Sequence, residues 1–113
     1  MAAPTREDAT LLIQIAQWMS MSGLNEQMPK LFSDSFDPQT ADPNTEPVRM
    51  ALGTFETIAT LVKHGLLSSE LVHDWMWVEG IWKRVAPAAM RARTDAGEPR
   101  LYENFEALAT GGY

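Results

Sequence analysis

The side chains able to do chemistry are few, and their spacing favours none of the common reactions. The two histidines, His64 and His73, stand nine residues apart, with Asp74 beside the second. A metal centre needs three or four converging ligands, and neither a His-Glu-x-x-His run nor an acid–histidine pair at i, i+4 occurs. With no cysteine, thiol nucleophiles, thiolate zinc sites and disulfides are excluded. The seven glycines are scattered, so no loop cradles a phosphate, and no Gly-x-Ser-x-Gly or Ser-x-x-Lys motif supplies a nucleophile. The expectation is a protein that is not an enzyme and holds no metal or cofactor.

Two Phe-Glu dyads are more suggestive. Glu56 lies about 40° from Leu52 on a helical projection, at the edge of an apolar stripe, and Glu106 flanks Phe105 in the same way. A half-buried carboxylate calls for a partner, and bidentate arginine is the best available. Arg91 and Arg93 lie in the basic segment between the dyads. Glu56, Arg91, Arg93 and Glu106 are therefore read as an ion-pair network tying the last helix to the third, with a pocket for a small anion as the alternative.

The tryptophans give a third candidate. Trp75, Trp77 and Trp82 fall within eight residues of sequence. Leu71, Trp75, Val78, Trp82 and Val85 share one helical direction within about 40°, while Trp77 points roughly 120° away. The stripe reads as core. Trp77, with Met76 and Ile81, is expected to anchor a contact surface, because aromatic residues dominate interface hot spots.

These residues need helices to position them, and helix signals run through almost the whole chain. Thr5 followed by Asp8 resembles a capping box, after which Ala9, Leu12, Ile15, Ala16, Trp18 and Met19 recur at helical spacing. Ser22-Gly23 interrupts this helix, and a short second one reaches Phe32 past Pro29. Residues 33–47 hold three prolines, four acids and no base, so they read as an irregular connector. The third helix starts near Pro47, buries Val48, Leu52, Phe55, Ala59 and Val62, and stops at Gly65. A cap at Ser68 opens a fourth, expected to run from Ser69 to about Ala86 and to bend or end at Pro87. The short link makes the third and fourth helices an antiparallel pair. Leu101, Phe105 and Leu108 mark a last short helix before Gly111-Gly112.

Composition sets the remaining bounds. The 113 residues are 45% hydrophobic with a formal net charge of −6, which suits one folded domain and disfavours nucleic acid or anionic membranes as partners. The acids are concentrated early: residues 1–56 carry eight against three bases, and 57–113 carry seven against six. Lys83, Arg84, Arg91, Arg93 and Arg100 beside Trp82 read as a solvated face, not a nucleic-acid groove. The N-terminus lacks a basic region followed by an apolar run, and no apolar stretch is long enough to span a membrane. A soluble cytoplasmic protein is expected.

Several of these positions together carry a resemblance. Phe55-Glu56, Leu61-Val62, Gly65-Leu66-Leu67, Glu70-Leu71-Val72, Trp82, Pro87, Arg91-Ala92-Arg93 and Leu101 through Leu108 are similar to an uncharacterised bacterial all-helical family, a domain of unknown function, from Val48 to Ala109. The resemblance implies an all-helical fold and no assigned activity. It also implies an N-terminal membrane helix in many members, of which this sequence shows no sign.

The expectation is thus an all-α fold: residues 1–113 as one compact bundle of about four to six helices with a central antiparallel hairpin. Its expected role is a non-enzymatic interaction or assembly module that forms a homodimer or binds another protein. The alternative is a small-ligand-binding or regulatory domain with a pocket lined by tryptophan and Arg91 or Arg93.

Overall fold

The computed structural model describes residues 3–113. Met1 and Ala2, where the N-terminal stretch read above for a leader begins, lie outside the described residues. Six α-helices form an all-helical bundle, with no strand among the described residues.

Helix α1, Arg6–Met21, is opened by the capping box: the Asp8 amide donates to Thr5 Oγ1 at 3.1 Å and the Thr5 amide to Asp8 Oδ2 at 2.8 Å. The other Asp8 oxygen accepts the Ser68 amide at 2.9 Å, fastening the start of α1 to a link 60 residues on. These amides, the Thr5 one first, hold the Asp8 carboxyl below its ordinary pKa. Gly23, at φ +88, turns the chain into the short α2, Leu24–Gln27, and a 3-10 segment, Met28–Phe32. Leu24 and Leu31 are fully buried and dock this stretch.

Helix α3, Glu46–Lys63, has Pro47 in its first turn and buries Val48, Ala51, Leu52, Phe55, Ile58, Ala59 and Val62. It ends as expected. With Gly65 at φ +72, the Leu66 amide reaches the Leu61 carbonyl and the Gly65 amide the Val62 carbonyl. Ser68 Oγ then accepts the Leu71 amide and opens α4, Ser69–Trp75.

Here the structure departs from the sequence-based expectation. The fourth helix does not run on to Ala86; it stops at Trp75, because Met76 is extended at φ −127 and ψ 143. A new helix, α5, covers Val78–Ala96 and passes straight through Pro87. The break resets the helical phase. Val72, which lies outside the expected stripe, is fully buried, whereas Leu71 and Trp75, which lie on it, are only partly covered. Ile81 moves from the expected contact surface to the core. Pro87 costs α5 the bond to the Lys83 carbonyl, on an exposed turn where water can replace it.

Gly97, left-handed at φ +64, ends α5, and α6, Glu103–Ala109, folds back. The helix packed most extensively against α3 is α6, not α4, and α5 also packs on both. Their meeting point is a cluster of three rings. Phe105 stacks on Phe55 at 5.1 Å between centroids and meets Trp82 edge-on at 4.9 Å. Phe105→Ala is expected to cost about 3–5 kcal/mol. Urea unfolding measures it, and a loss below about 1 kcal/mol would mean that the cluster does not organise the core.

Candidate functional site

Trp77 is built into the α4–α5 break. It occupies the position before α5, where its carbonyl accepts the Ile81 amide at 3.0 Å. Its indole lies flat against Gly80: a Cβ on that glycine would sit 2.2 Å from Trp77 Cδ2. Phe32 stacks alongside, with centroids 6.1 Å apart and planes 18° from parallel. The Arg84 guanidinium continues the array, its Cζ 5.9 Å from the Phe32 centroid and 5.2 Å from that of Phe36. Trp77 remains 66% exposed and Phe32 43%.

Of the three expected anchors, only Trp77 lies on the open surface. Met76 is half-buried against the core, and Ile81 is 3% exposed. The residue that does share the surface with Trp77 is Phe32. Sequence reasoning missed it because the two stand 45 positions apart, on elements whose packing no local signal sets.

Arg84 and Arg91 lie two turns apart on one face of α5, and both grip the irregular segment. Arg84 Nε donates to the Leu31 carbonyl at 2.6 Å and Nη2 to that of Phe36 at 3.2 Å. Arg91 donates to the carbonyls of Gln39 at 2.9 Å, Pro38 at 3.4 Å, and Ala41. The connector is therefore shaped by guanidinium-to-backbone bonds. Its own carboxylates tighten its turns: Asp37 accepts from the Gln39 amide and Asp42 from the Asn44 amide.

Consequently the expected four-residue network separates. Arg93 does pair with Glu106, Nη2 to Oε1 at 3.0 Å, while its Nε bonds the Leu101 carbonyl at 2.6 Å. Arg91 belongs to the connector. Glu56 meets no arginine: its Oε1 accepts the Phe105 amide at 2.8 Å, satisfying an N–H in the first turn of α6. Nearby, Tyr113 Oη donates to Asn104, whose side chain donates to Thr60 Oγ1. Burial raises the Glu56 carboxyl above its ordinary range, opposed by the Phe105 and Asn104 amides and helped by the Glu103 charge.

The hollow that Arg93 lines contains no tryptophan, and the one beside Trp18 contains neither Arg91 nor Arg93. Arg93 lines a surface hollow with Met90, Thr94 and Pro99. His64 is exposed at the end of α3, whereas His73 Nδ1 lies 3.4 Å from Glu79 Oε1 across the α4–α5 break. Among the described residues, no three His, Asp or Glu side chains converge to hold a metal ion. No described helix is long and apolar enough to cross a membrane.

An all-helical module bearing a seated, solvent-facing aromatic pair is the class this geometry defines. The chain belongs to the family described as Domain of unknown function (DUF4760), whose model matches residues 4–111. No curated protein and no solved structure matches it.

Two measurements test these assignments. The raised Glu56 pKa means that the folded state holds this proton more tightly than the unfolded chain. Its contribution is fully present below the ordinary value, near 4.5, and declines as pH rises through the raised folded value. Glu56→Gln, which keeps an acceptor for the Phe105 amide, should therefore gain stability relative to wild type as pH rises to 7. Glu56→Leu orphans that amide and should lose about 1–3 kcal/mol; identical pH profiles for wild type and Glu56→Gln would contradict the assignment. Arg91→Met should speed hydrogen exchange at the Thr40 and Ala41 amides, with Leu52 unchanged. Unaltered rates at both would show that the arginine does not hold the connector.

Proposed function

We propose that the protein is a non-enzymatic interaction and assembly module that pairs with a second copy of itself through the Trp77–Phe32 surface. The supporting observation is that Trp77, 66% exposed, is nevertheless held between Gly80 and Phe32. An exposed aromatic already fixed in place loses little side-chain freedom on binding, which is what an interface anchor requires. Lys30 and Asp34, exposed on either side of Phe32 in the chain, give this surface opposite charges of the kind a two-fold contact can pair. A bacterial cytoplasmic setting is part of the same reading, supported by the family resemblance and by a chain without cysteine.

Sedimentation across a wide concentration range tests the proposal. The wild type should pass from monomer to dimer. Trp77→Ala should dimerise at least about 30-fold more weakly, with unchanged helical circular dichroism. Phe32→Ser repeats the test should Trp77→Ala fail to fold. A wild type that stays monomeric throughout, or variants that dimerise as well as it does, would remove the assembly reading.

A further inference from the structure

Helix α1 exposes apolar side chains that its packing in the bundle does not require. Of its 16 residues only Ile15 and Met19 are buried. Among the large apolar side chains left exposed, Ile13 at 58%, Trp18 at 42% and Met21 at 87% all stand on this helix. Ala9, Thr10, Gln14, Gln17 and Ser20 are exposed as well. No charge accompanies them. From Ala9 to Asn25 the chain has no Asp, Glu, Lys, Arg or His, its longest such run, although Asp8 and Glu26 stand immediately on either side. The solvated face of a surface helix ordinarily carries charged as well as polar residues. Depletion of charge with enrichment of methionine marks instead the centre of a protein interface.

The exposed row also has a symmetry of its own. Ile13, Gln17 and Met21 form one ridge at i, i+4 and i+8, and at 100° per residue its mean direction lies about 180° from that of Ile15 and Met19. Gln17 thus faces straight out of the bundle, with an apolar side chain one turn away on each side. A two-fold axis through Gln17 lays this ridge antiparallel on its own copy. Ile13 then meets the second copy's Met21, Gln14 meets the second copy's Ser20, and the two Gln17 amides face one another, each able to donate and to accept. The charge pattern favours the same occupant. The chain carries a formal net charge of −6, so two copies repel across most surfaces, but along this face neither presents a charge. A partner that recognises by charge would find nothing here to pair with.

We infer that the outer face of α1 is a self-recognition surface, on which a second copy docks its own α1 antiparallel about Gln17. Ile13 and Met21 are only about 12 Å apart along the helix, so the contact is smaller than a standard interface and weak on its own. Copies already paired through Trp77 join through α1 into assemblies larger than a dimer, because a second, different two-fold contact is left open on each chain. Only that larger assembly rests on the Trp77 reading; the α1 contact itself does not.

Since the chain has no cysteine, single introduced cysteines report the contact directly. They are placed in the Trp77→Ala background, or in Phe32→Ser if that does not fold, so the outcome is independent of the Trp77 surface. Gln17→Cys stands on the axis and should form an intermolecular disulfide at least about tenfold faster than Glu7→Cys. Glu7 is exposed on the same helix, but its distance from the axis sets two copies of it about 30 Å apart. Met21→Glu, at a solvent-exposed position, should keep the helical spectrum and remove the advantage of Gln17→Cys. With Trp77 intact, sedimentation of Met21→Glu should show the dimer without the larger species that the wild type forms at high concentration. Gln17→Cys oxidising no faster than Glu7→Cys, or keeping its advantage beside Met21→Glu, would overturn the proposal.

Discussion

Phe105 lies against Phe55 at 5.1 Å and against Trp82 at 4.9 Å, so a single ring couples α6 to both α3 and α5. Neither long helix could hold the other by its stripe alone, because each presents small residues as well as large ones to the centre, such as Ala51, Ala59, Ala88 and Ala89. The seven-residue α6 supplies the missing volume. Too short to persist in water alone, it is stabilised by this burial and by two contacts at its ends. Glu56 accepts its Phe105 amide, and Arg93 pairs with Glu106. The two Phe-Glu dyads thus work as crossed fasteners, each ring filling the core while the neighbouring acid meets a group on another helix.

A second constraint acts through α5. Its inner face carries Val78, Ile81, Trp82, Val85 and Ala89 to the core, while Arg84 and Arg91 project toward the irregular segment. That segment contains Pro38 and Pro43 and cannot satisfy its own carbonyls by a helical ladder. Guanidinium groups, with several donors on one rigid plane, take that role for carbonyls spread over about ten residues. The segment's conformation is consequently tied to the register of α5. The same dependence explains why Phe32 and Phe36 end up on either side of Arg84, and hence why Trp77 has an aromatic neighbour.

The Trp77–Phe32 patch stands out from this frame. It is aromatic and solvent-facing, with the indole seated on Gly80. It lies where the break before α5 meets the end of the 3-10 segment, so its side chains are freed from the regular packing of the bundle.

The sequence by itself determined the helices and most of their ends. The Thr5–Asp8 box, Pro47, Gly65 and Ser68 act through backbone groups within four residues, so their effect does not wait for the fold. The buried face of α3 was equally legible, since Val48, Leu52, Phe55, Ala59 and Val62 share one direction. The carboxylate–arginine pairing was legible only in part: Arg93 and Glu106 meet, whereas Arg91 and Glu56 each find backbone partners instead. Tertiary structure decided those partners, along with the break at Met76, the passage of α5 through Pro87 and the meeting of Trp77 with Phe32. Arg84 reaches carbonyls 53 and 48 residues away. Which of many acceptors a long side chain meets depends on how preformed helices pack, and that packing is a balance over the whole core which no short window of sequence contains.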